Sequence, residues 1–265
     1  DWHVASASLK GGDVGFAESY LDGHWDSPDL AHLLTVIAVN QGALERAFIG
    51  RAWVQRLLRL RHWLNANTRR QARKNIAAHY DLGNDFYALW LDRTMTYSAA
   101  LFEGASDRAL DHAQQAKYDR LLAELGLAPG SRVLEIGCGW GGFVETAARA
   151  GHHVTGISLS ERQTSWARER LAQAGLADRA DLRLQDYRDL RGRYDGVASI
   201  EMVEAVGEKY WPTYFAAVRD ALAPGARACI QAITIAEDRF ERYRTQSDFI
   251  QQYIFPGGML ASPSR

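Results

Sequence analysis

The residues best suited to chemistry lie in one stretch, Val133-Leu134-Glu135-Ile136-Gly137-Cys138-Gly139-Trp140-Gly141-Gly142. An apolar run leads straight into Gly-x-Gly-x-Gly-Gly. Glycines let the backbone turn sharply and approach a ligand closely, and a helix starting behind them offers free amide groups. That combination makes a pocket for a nucleotide-like ligand. Spacing alone leaves the ligand open, because glycines 137, 139 and 142 also meet the Gly-x-Gly-x-x-Gly of dinucleotide sites. Glu135 discriminates: an acid two residues before the first glycine suits a ligand with a cationic amino group and repels a pyrophosphate. Cys138, inside the loop, reads either as a nucleophile or as a small residue filling a tight turn. The second suffices, since the local motif places no His or Asn to activate a thiol.

Two further acids stand where elements end. Asp186-Tyr187 could accept from an exocyclic amine and stack on a base; taken alone, the pair is equally a polar strand end capping a turn. Glu204, taken alone, is a surface carboxylate at a helix start, favoured there by the helix dipole.

The elements that must hold these residues alternate from about residue 130 onward. Arg132–Ile136 reads as a short apolar strand, followed by the glycine loop and a helix over Gly142–Ala150. A strand at His152–Ser158 precedes a helix at Ser160–Ala174. Strands at Ala180–Leu184 and Tyr194–Ile200, a helix at Glu208–Leu222, a turn at Pro224-Gly225 and a strand at Ala226–Thr234 complete the pattern. Such alternation implies an α/β, Rossmann-like fold with a mostly parallel sheet covered by helices on both faces. Upstream, Asp29–Val39 reads as a helix capped by Ser27 or Asp26 with Pro28 near its first turn, part of a small helical accessory region.

A chain of 265 residues, 47% of them hydrophobic, can bury a proper core. The formal charge of -1 argues against a wholly basic nucleic-acid binder but hides one charged segment. Between Arg51 and Lys74 there are eight Arg or Lys (51, 56, 59, 61, 69, 70, 73 and 74) and no acid. Within it Trp53, Leu57, Leu60 and Leu64 recur at helical spacing, beside Arg51, Arg56, Arg59 and Arg61. This cationic amphipathic helix either packs its stripe on the core or forms a landing surface for anionic lipid headgroups. Two distant cysteines make no disulfide framework and fit a reducing cytoplasm. No apolar run approaches the roughly 18–20 residues of a spanning helix, so membrane contact is expected to be peripheral.

The string Val133 to Gly141 resembles the first motif of class I methyltransferases, whose ligand carries an ammonium and a sulfonium. Together with His79-Tyr80-Asp81-Leu82-Gly83-Asn84-Asp85-Phe86-Tyr87, Leu91-Asp92, Met95-Thr96-Tyr97-Ser98 and Ile157-Ser158-Leu159-Ser160-Glu161-Arg162-Gln163, the chain resembles the cyclopropane fatty acid synthase and mycolic acid synthase family over nearly its whole length.

The resemblance implies S-adenosylmethionine as methyl donor and S-adenosylhomocysteine as its product. It implies that Tyr97 and Ser98 close over the cofactor, that Gly137 and Gly139 lie under its methionine part, and that Glu135 faces its ammonium. Class I relatives carry an acid for the ribose after the second strand; here Ser158 stands there, and Gln163 matches the residue that serves the ribose instead. Asp186 and Tyr187 fall beside the adenine. The family holds a bicarbonate ion near the transferred methyl, and Glu204 matches its carboxylate ligand. The chain departs from relatives around that ion: Ala205 and Ala99 replace a usual His and Cys, and Gln231 stands where a His is expected. Gln231 can donate and accept hydrogen bonds but carries no proton as His does.

The implied substrate is the cis double bond of an unsaturated phospholipid at the cytoplasmic membrane face, with a cyclopropane product and a homodimer as a further option. Methyl- or methylene-branched products stay open. By the same resemblance, residues 1–65 form a lipid-binding-like accessory region and 66–265 a methyltransferase domain incomplete at its C-terminal end. An alkene needs no base before methyl transfer, only proximity and a dry pocket; the charge left on the acyl chain can be stabilised by aromatic faces, about 0.5–2 kcal/mol each. Two rivals remain: a lipid-binding protein with an inactive methyltransferase fold, and a nucleic-acid methyltransferase, which needs a basic groove beside the cofactor.

Overall fold

The computed structural model describes residues 2–40, 42, 52–80 and 82–264. Arg51 of the cationic run and Asp81 of the His79–Tyr87 motif lie outside the described residues. Two compact units are present: Asp1–Ala66 with Ile235–Gly258 and Ser262–Arg265, and Asn67–Thr234 with Met259–Ala261.

The first unit contains helices α1 (His3–Leu21), α2 (Leu30–Val39) and α3 (Ala52–Leu64) and a later helix at Glu237–Thr245. Gly12, at φ 67°, breaks α1 into two arms. The cap of α2 is Asp29 rather than Ser27 or Asp26: its Oδ1 accepts from the His32 amide at 2.8 Å, the reach a first-turn amide requires. Pro28 therefore precedes the cap. In α3 the stripe Trp53, Leu57, Leu60 and Leu64 is exposed, as are Arg56, Arg59 and Arg61. The buried contact of α3 is polar instead, with Gln55 Oε1 accepting from the Ser247 amide at 3.3 Å.

The second unit is built on a five-stranded parallel sheet of order β3-β2-β1-β4-β5. It opens with helices α4 (Arg69–Tyr80), α5 (Asn84–Ala88) and α6 (Leu110–Leu125). Then come β1 (Arg132–Ile136), α7 (Gly142–Arg149), β2 (His153–Ser158), α8 (Glu161–Gln173), β3 (Ala180–Leu184), β4 (Tyr194–Ile200), α9 (Trp211–Ala221) and β5 (Leu222–Gln231). Alternation along each strand divides the core. Val133, Val154, Leu182 and Ala198 pack with Tyr118, Leu121, Phe143, Val144 and Leu171 from α6, α7 and α8. Leu134, Ile136, Ile157 and Val197 pack with Tyr214, Val218 and Ala221 of α9. A parallel sheet covered on both faces is thus present.

Two expected boundaries move. The helix expected at Glu208–Leu222 is a 3₁₀ turn, Glu208–Tyr210, followed by α9, which starts afresh with Pro212 in a first turn where no amide donor is required. The Pro224-Gly225 turn lies inside β5: Tyr194 pairs with Leu222 but Gly196 with Arg227, so β5 carries a bulge with Gly225 at φ 81°. An edge strand tolerates this, because the missing proline donor faces no partner strand.

Candidate functional site

The carboxyl ends of the strands open into a cleft with about 1080 Å³ of free space, mouth included, lined entirely by residues of the second unit. This is where open α/β sheets bind ligands. Its floor is the glycine loop. Gly137 and Cys138 both donate to the Ile157 carbonyl at 3.0 Å, and this folds the loop over the end of β2. Gly137 has φ 86°, and a Cβ there would stand 2.9 Å from Met202 Cγ, so both backbone and space require glycine. Gly139, at φ 50°, continues the floor, and α7 begins at Gly142.

Glu135 shares the Val133 face of β1 and reaches the cleft wall. It is 3% exposed, and its Oε2 has no hydrogen-bond partner among the described residues. Burial pushes its pKa up to about 8, against the opposing pull of Lys117 and the Val144 amide. Lys117 comes from α6, four per cent exposed, donating to Ser98 Oγ at 2.5 Å and Gln114 Oε1 at 2.6 Å. Burial lowers its pKa to about 8, opposed by Glu201 and Glu135. Gln114 in turn donates to the Ser98 carbonyl at 2.8 Å. Sequence reading missed this pair. Its signal was two polar residues three apart on a helix face whose neighbours, Ala113, Tyr118 and Leu121, enter the core.

Ser158 lies at the end of β2, and its Oγ donates to Gln163 Oε1 at 3.1 Å. Ser160 caps α8 by accepting from the Gln163 amide at 3.3 Å, which fixes Gln163 one turn into the helix and on the cleft wall. The Tyr80 hydroxyl lies near the Gln163 side chain. Tyr97 and Ser98 line the cleft, with Tyr97 stacked on His79 at 5.6 Å and edge-on to Tyr80 at 6.4 Å. Trp140 joins the same aromatic cluster and donates to Asn84 Oδ1 at 2.8 Å.

Tyr187 lines the cleft, but its neighbour Asp186 is 3% exposed and turned onto Arg188. The carboxylate accepts from the Arg188 amide at 2.9 Å, Nε at 2.8 Å and Nη2 at 2.6 Å. Burial raises its pKa, and these Arg188 bonds outweigh burial and hold it below the usual carboxylate value. The wall at this point is Gln185, Tyr187 and Arg188. Cys138 is buried, and burial pushes its thiol far up in pKa, as suits a turn filler rather than a nucleophile.

The three residues tied to the ion, Glu204, Gln231 and Ala99, are not among those forming the cleft wall. Ala99 and Gln231 meet: Gln231 Nε2 donates to the Ala99 carbonyl at 3.1 Å. Glu204 turns to the Ile233 amide, its Oε2 buried and without a partner among the described residues. Burial raises its pKa. Besides Glu135, the cleft wall carries a second carboxylate, Glu201, which sequence reading passed over.

A family model described as mycolic acid cyclopropane synthetase matches residues 67–265. The chain belongs to that family. This is a family of S-adenosylmethionine-dependent lipid methyltransferases that includes cyclopropane synthases. Within the synthetase family, the chain is 44% identical over 268 residues to tuberculostearic acid methyltransferase UfaA1 of Mycobacterium tuberculosis, matching 95% of this chain and 60% of that protein. It is 35% identical over 259 residues to the cyclopropane-fatty-acyl-phospholipid synthase of Escherichia coli, matching 96% and 64%. The chain therefore spans less than two thirds of the length of these curated relatives. Among solved structures, mycolic acid cyclopropane synthase CmaA1 complexed with SAH and CTAB superposes with a TM-score of 0.64 at 32% identity, covering 72% of this chain and 70% of that one.

Proposed function

We propose that the chain transfers a methyl(ene) group from S-adenosylmethionine to the cis double bond of an unsaturated phospholipid acyl chain, forming a cyclopropane ring. The observation that carries this reading is Glu135 Oε2, a buried carboxylate oxygen without a partner at the edge of a glycine-floored cleft. An ammonium is the group it lacks. When bound, the cofactor supplies an electrophilic methyl on a sulfonium.

The chain's own residues fit that group. Glu135 takes the ammonium, Gly137 and Gly139 admit the amino-acid part closely, and Gln163, oriented by Ser158, serves the ribose. Tyr187 offers a ring to the base, while Tyr97 and Ser98 close the opposite side, Ser98 being held by Gln114 and Lys117. Ile76, Met95, Ile200, Met202 and Val206 give the cleft apolar wall for an acyl chain. Tyr80, Tyr97 and Trp140 present ring faces to the charge that methylation leaves on the acyl chain, about 0.5–2 kcal/mol each. Excluding water there protects that cation from capture.

The residues matched to bicarbonate do not fit the ion in this chain. The Ala99 amide and the Gln231 side chain both already donate to Glu201 Oε1, at 2.8 and 2.9 Å. The changed surroundings favour a second reading, a methyl- or methylene-branched product, which the name of the 44% identical relative also supports.

Association with a membrane surface belongs to the same proposal. No helix among the described residues is long and apolar enough to cross a membrane. The exposed Trp53, Leu57, Leu60 and Leu64 of α3, flanked by exposed arginines, suit an anionic headgroup layer instead.

The test is to incubate full-length protein, methyl-labelled S-adenosylmethionine and unsaturated phospholipid vesicles, then identify the modified chain by mass spectrometry. Label in a saturated ring supports the first product, label on a branch the second. Binding of the cofactor with no label in any acyl chain refutes both.

A further inference from the structure

We infer that Glu201 is the base of the reaction, a carboxylate built into the chain at the place where a free oxyanion would otherwise be held. This inference rests on the acyl-methylation reading above. Glu201 follows the last residue of β4, at the strand end facing the cleft, and its own amide donates to the Gln231 carbonyl at 2.8 Å, which continues the β4 and β5 pairing by one residue. The side chain then turns back. Its Oε1 accepts from the Ala99 amide at 2.8 Å and from Gln231 Nε2 at 2.9 Å. Gln231 Nε2 also donates to the Ala99 carbonyl at 3.1 Å, so three groups hold one another in place. Both donors converge on Oε1, and Oε2 takes no hydrogen bond among the described residues, which leaves it to accept a proton.

Backbone geometry points the same way. Glu201 has φ 47°, a left-handed conformation that strains an ordinary L residue. Glycine would sit there without strain. A glutamate held in that conformation, with its carboxylate fixed by two donors on a cleft wall, suggests a functional use for the side chain. Glu204, three residues on, is bound to the Ile233 amide and does not form that wall.

The step balances. The alkene π pair bonds to the methyl carbon while the carbon–sulfur pair stays on sulfur, leaving a cation on the acyl chain. Glu201 then accepts a proton from the added methyl, and the freed C–H pair closes the ring. If the hydrogen on the methyl-bearing carbon first shifts with its bonding pair to the adjacent cationic carbon, the cation moves to the methyl-bearing carbon, and removal of a methyl proton there forms a double bond and gives the methylene branch. No oxidant, reductant or further reactant enters.

The experiment uses the full-length protein with labelled cofactor and unsaturated phospholipid vesicles, in carbon-dioxide-free buffer and with added bicarbonate or formate. Wild type is expected to turn over equally with and without the added anions. Glu201→Gln is expected to lose about 10²–10⁴-fold in turnover, the range for a general base, with affinity for S-adenosylhomocysteine within threefold of wild type. Glu201→Gly, relieved of the backbone strain and with the Ala99 and Gln231 donors freed, is expected to be slow in anion-free buffer and to regain at least tenfold on adding bicarbonate or formate. A merely structural glutamate gives no such rescue. Wild-type dependence on bicarbonate, full turnover by Glu201→Gln, or absence of rescue in Glu201→Gly overturns the inference while leaving the methylation reading intact. No label transfer by wild type overturns both.

Discussion

Raising the pH from 6 to 7 should tighten S-adenosylhomocysteine binding about tenfold, because Glu135 must lose a proton to receive the ligand's ammonium. In the free protein, burial holds this carboxyl at a pKa of about 8. At pH 7 it is then about 90% protonated, and at pH 6 about 99%. The ligand's ammonium restores the charged form, so each complex formed at pH 7 should release about 0.9 proton. The pH window stays below the ligand's own amine, ordinarily near 7.7–8.0. Lys117, also lowered to about 8 by burial, is a competing source of protons as a second cation arrives. Glu135→Gln separates the two: Lys117 remains, and proton release should fall to near zero while the pH slope flattens. Affinity should fall by roughly 2–5 kcal/mol, the cost of leaving a buried charge unpaired. Isothermal titration in two buffers of different ionisation enthalpy, at pH 6 and pH 7, measures the protons directly. Equal heats in both buffers for wild type, or undiminished release in Glu135→Gln, would refute the assignment of the ammonium to Glu135.

The same carboxyl affects stability without ligand. Its native pKa lies above its unfolded value of 4.5, so the folded state binds more protons between about pH 4.5 and 8. Ligand-free protein should lose up to roughly 5 kcal/mol across that window as pH rises, and Glu135→Gln should lack this loss in urea unfolding. Asp186→Asn should cost about 3–5 kcal/mol at pH 7 by stranding Arg188, the pair being 3% and 8% exposed. Here the native pKa is depressed, so the stabilisation is present above 3.8 and is lost as pH falls through the native value. Gly141→Ala should destabilise by about 2–4 kcal/mol, since φ is 83° and the new Cβ would meet Ala167 Cβ at 2.9 Å. Gly151→Ala, at φ 92° with open space around it, should cost only the backbone part, about 1–2 kcal/mol, and the difference in chemical denaturation isolates the overlap. Replacing Arg56 and Arg59 by Gln should weaken binding to anionic vesicles by about 1 kcal/mol each at low salt, with no change on neutral vesicles in a sedimentation assay.

Much of the second unit was legible from local pattern. The strands at Arg132–Ile136 and Tyr194–Ile200 lie where the apolar runs put them, because a central strand covered on both faces is mostly apolar over its short length, while the edge strand Ala180–Leu184 buries only Leu182. The helix read at Ser160–Ala174 is present as α8, with Ser160 as its cap rather than its first residue, a distinction set by whether its side chain reaches the Gln163 amide. The Pro224-Gly225 turn was misjudged for the opposite reason: whether such a pair ends a strand or bulges within it depends on the partner strand, here β4.

The glycine loop behind Glu135 was written into the sequence, since strand, turn and helix start are consecutive there and each residue's type reports its own backbone. The roles of the acids were not. Glu201, Glu204 and Asp186 are all acids at strand or turn ends, and their types are alike. Only the folded chain turns Glu204 onto the Ile233 amide, binds Asp186 to Arg188, and places Glu201 against Ala99, 102 residues away, and Gln231, 30 away. Lys117, brought from α6 to Ser98 and the neighbourhood of Glu135, is decided the same way. A side chain's charge is fixed by its covalent structure, whereas its partners and its exposure to water are fixed by which distant segments the core brings together.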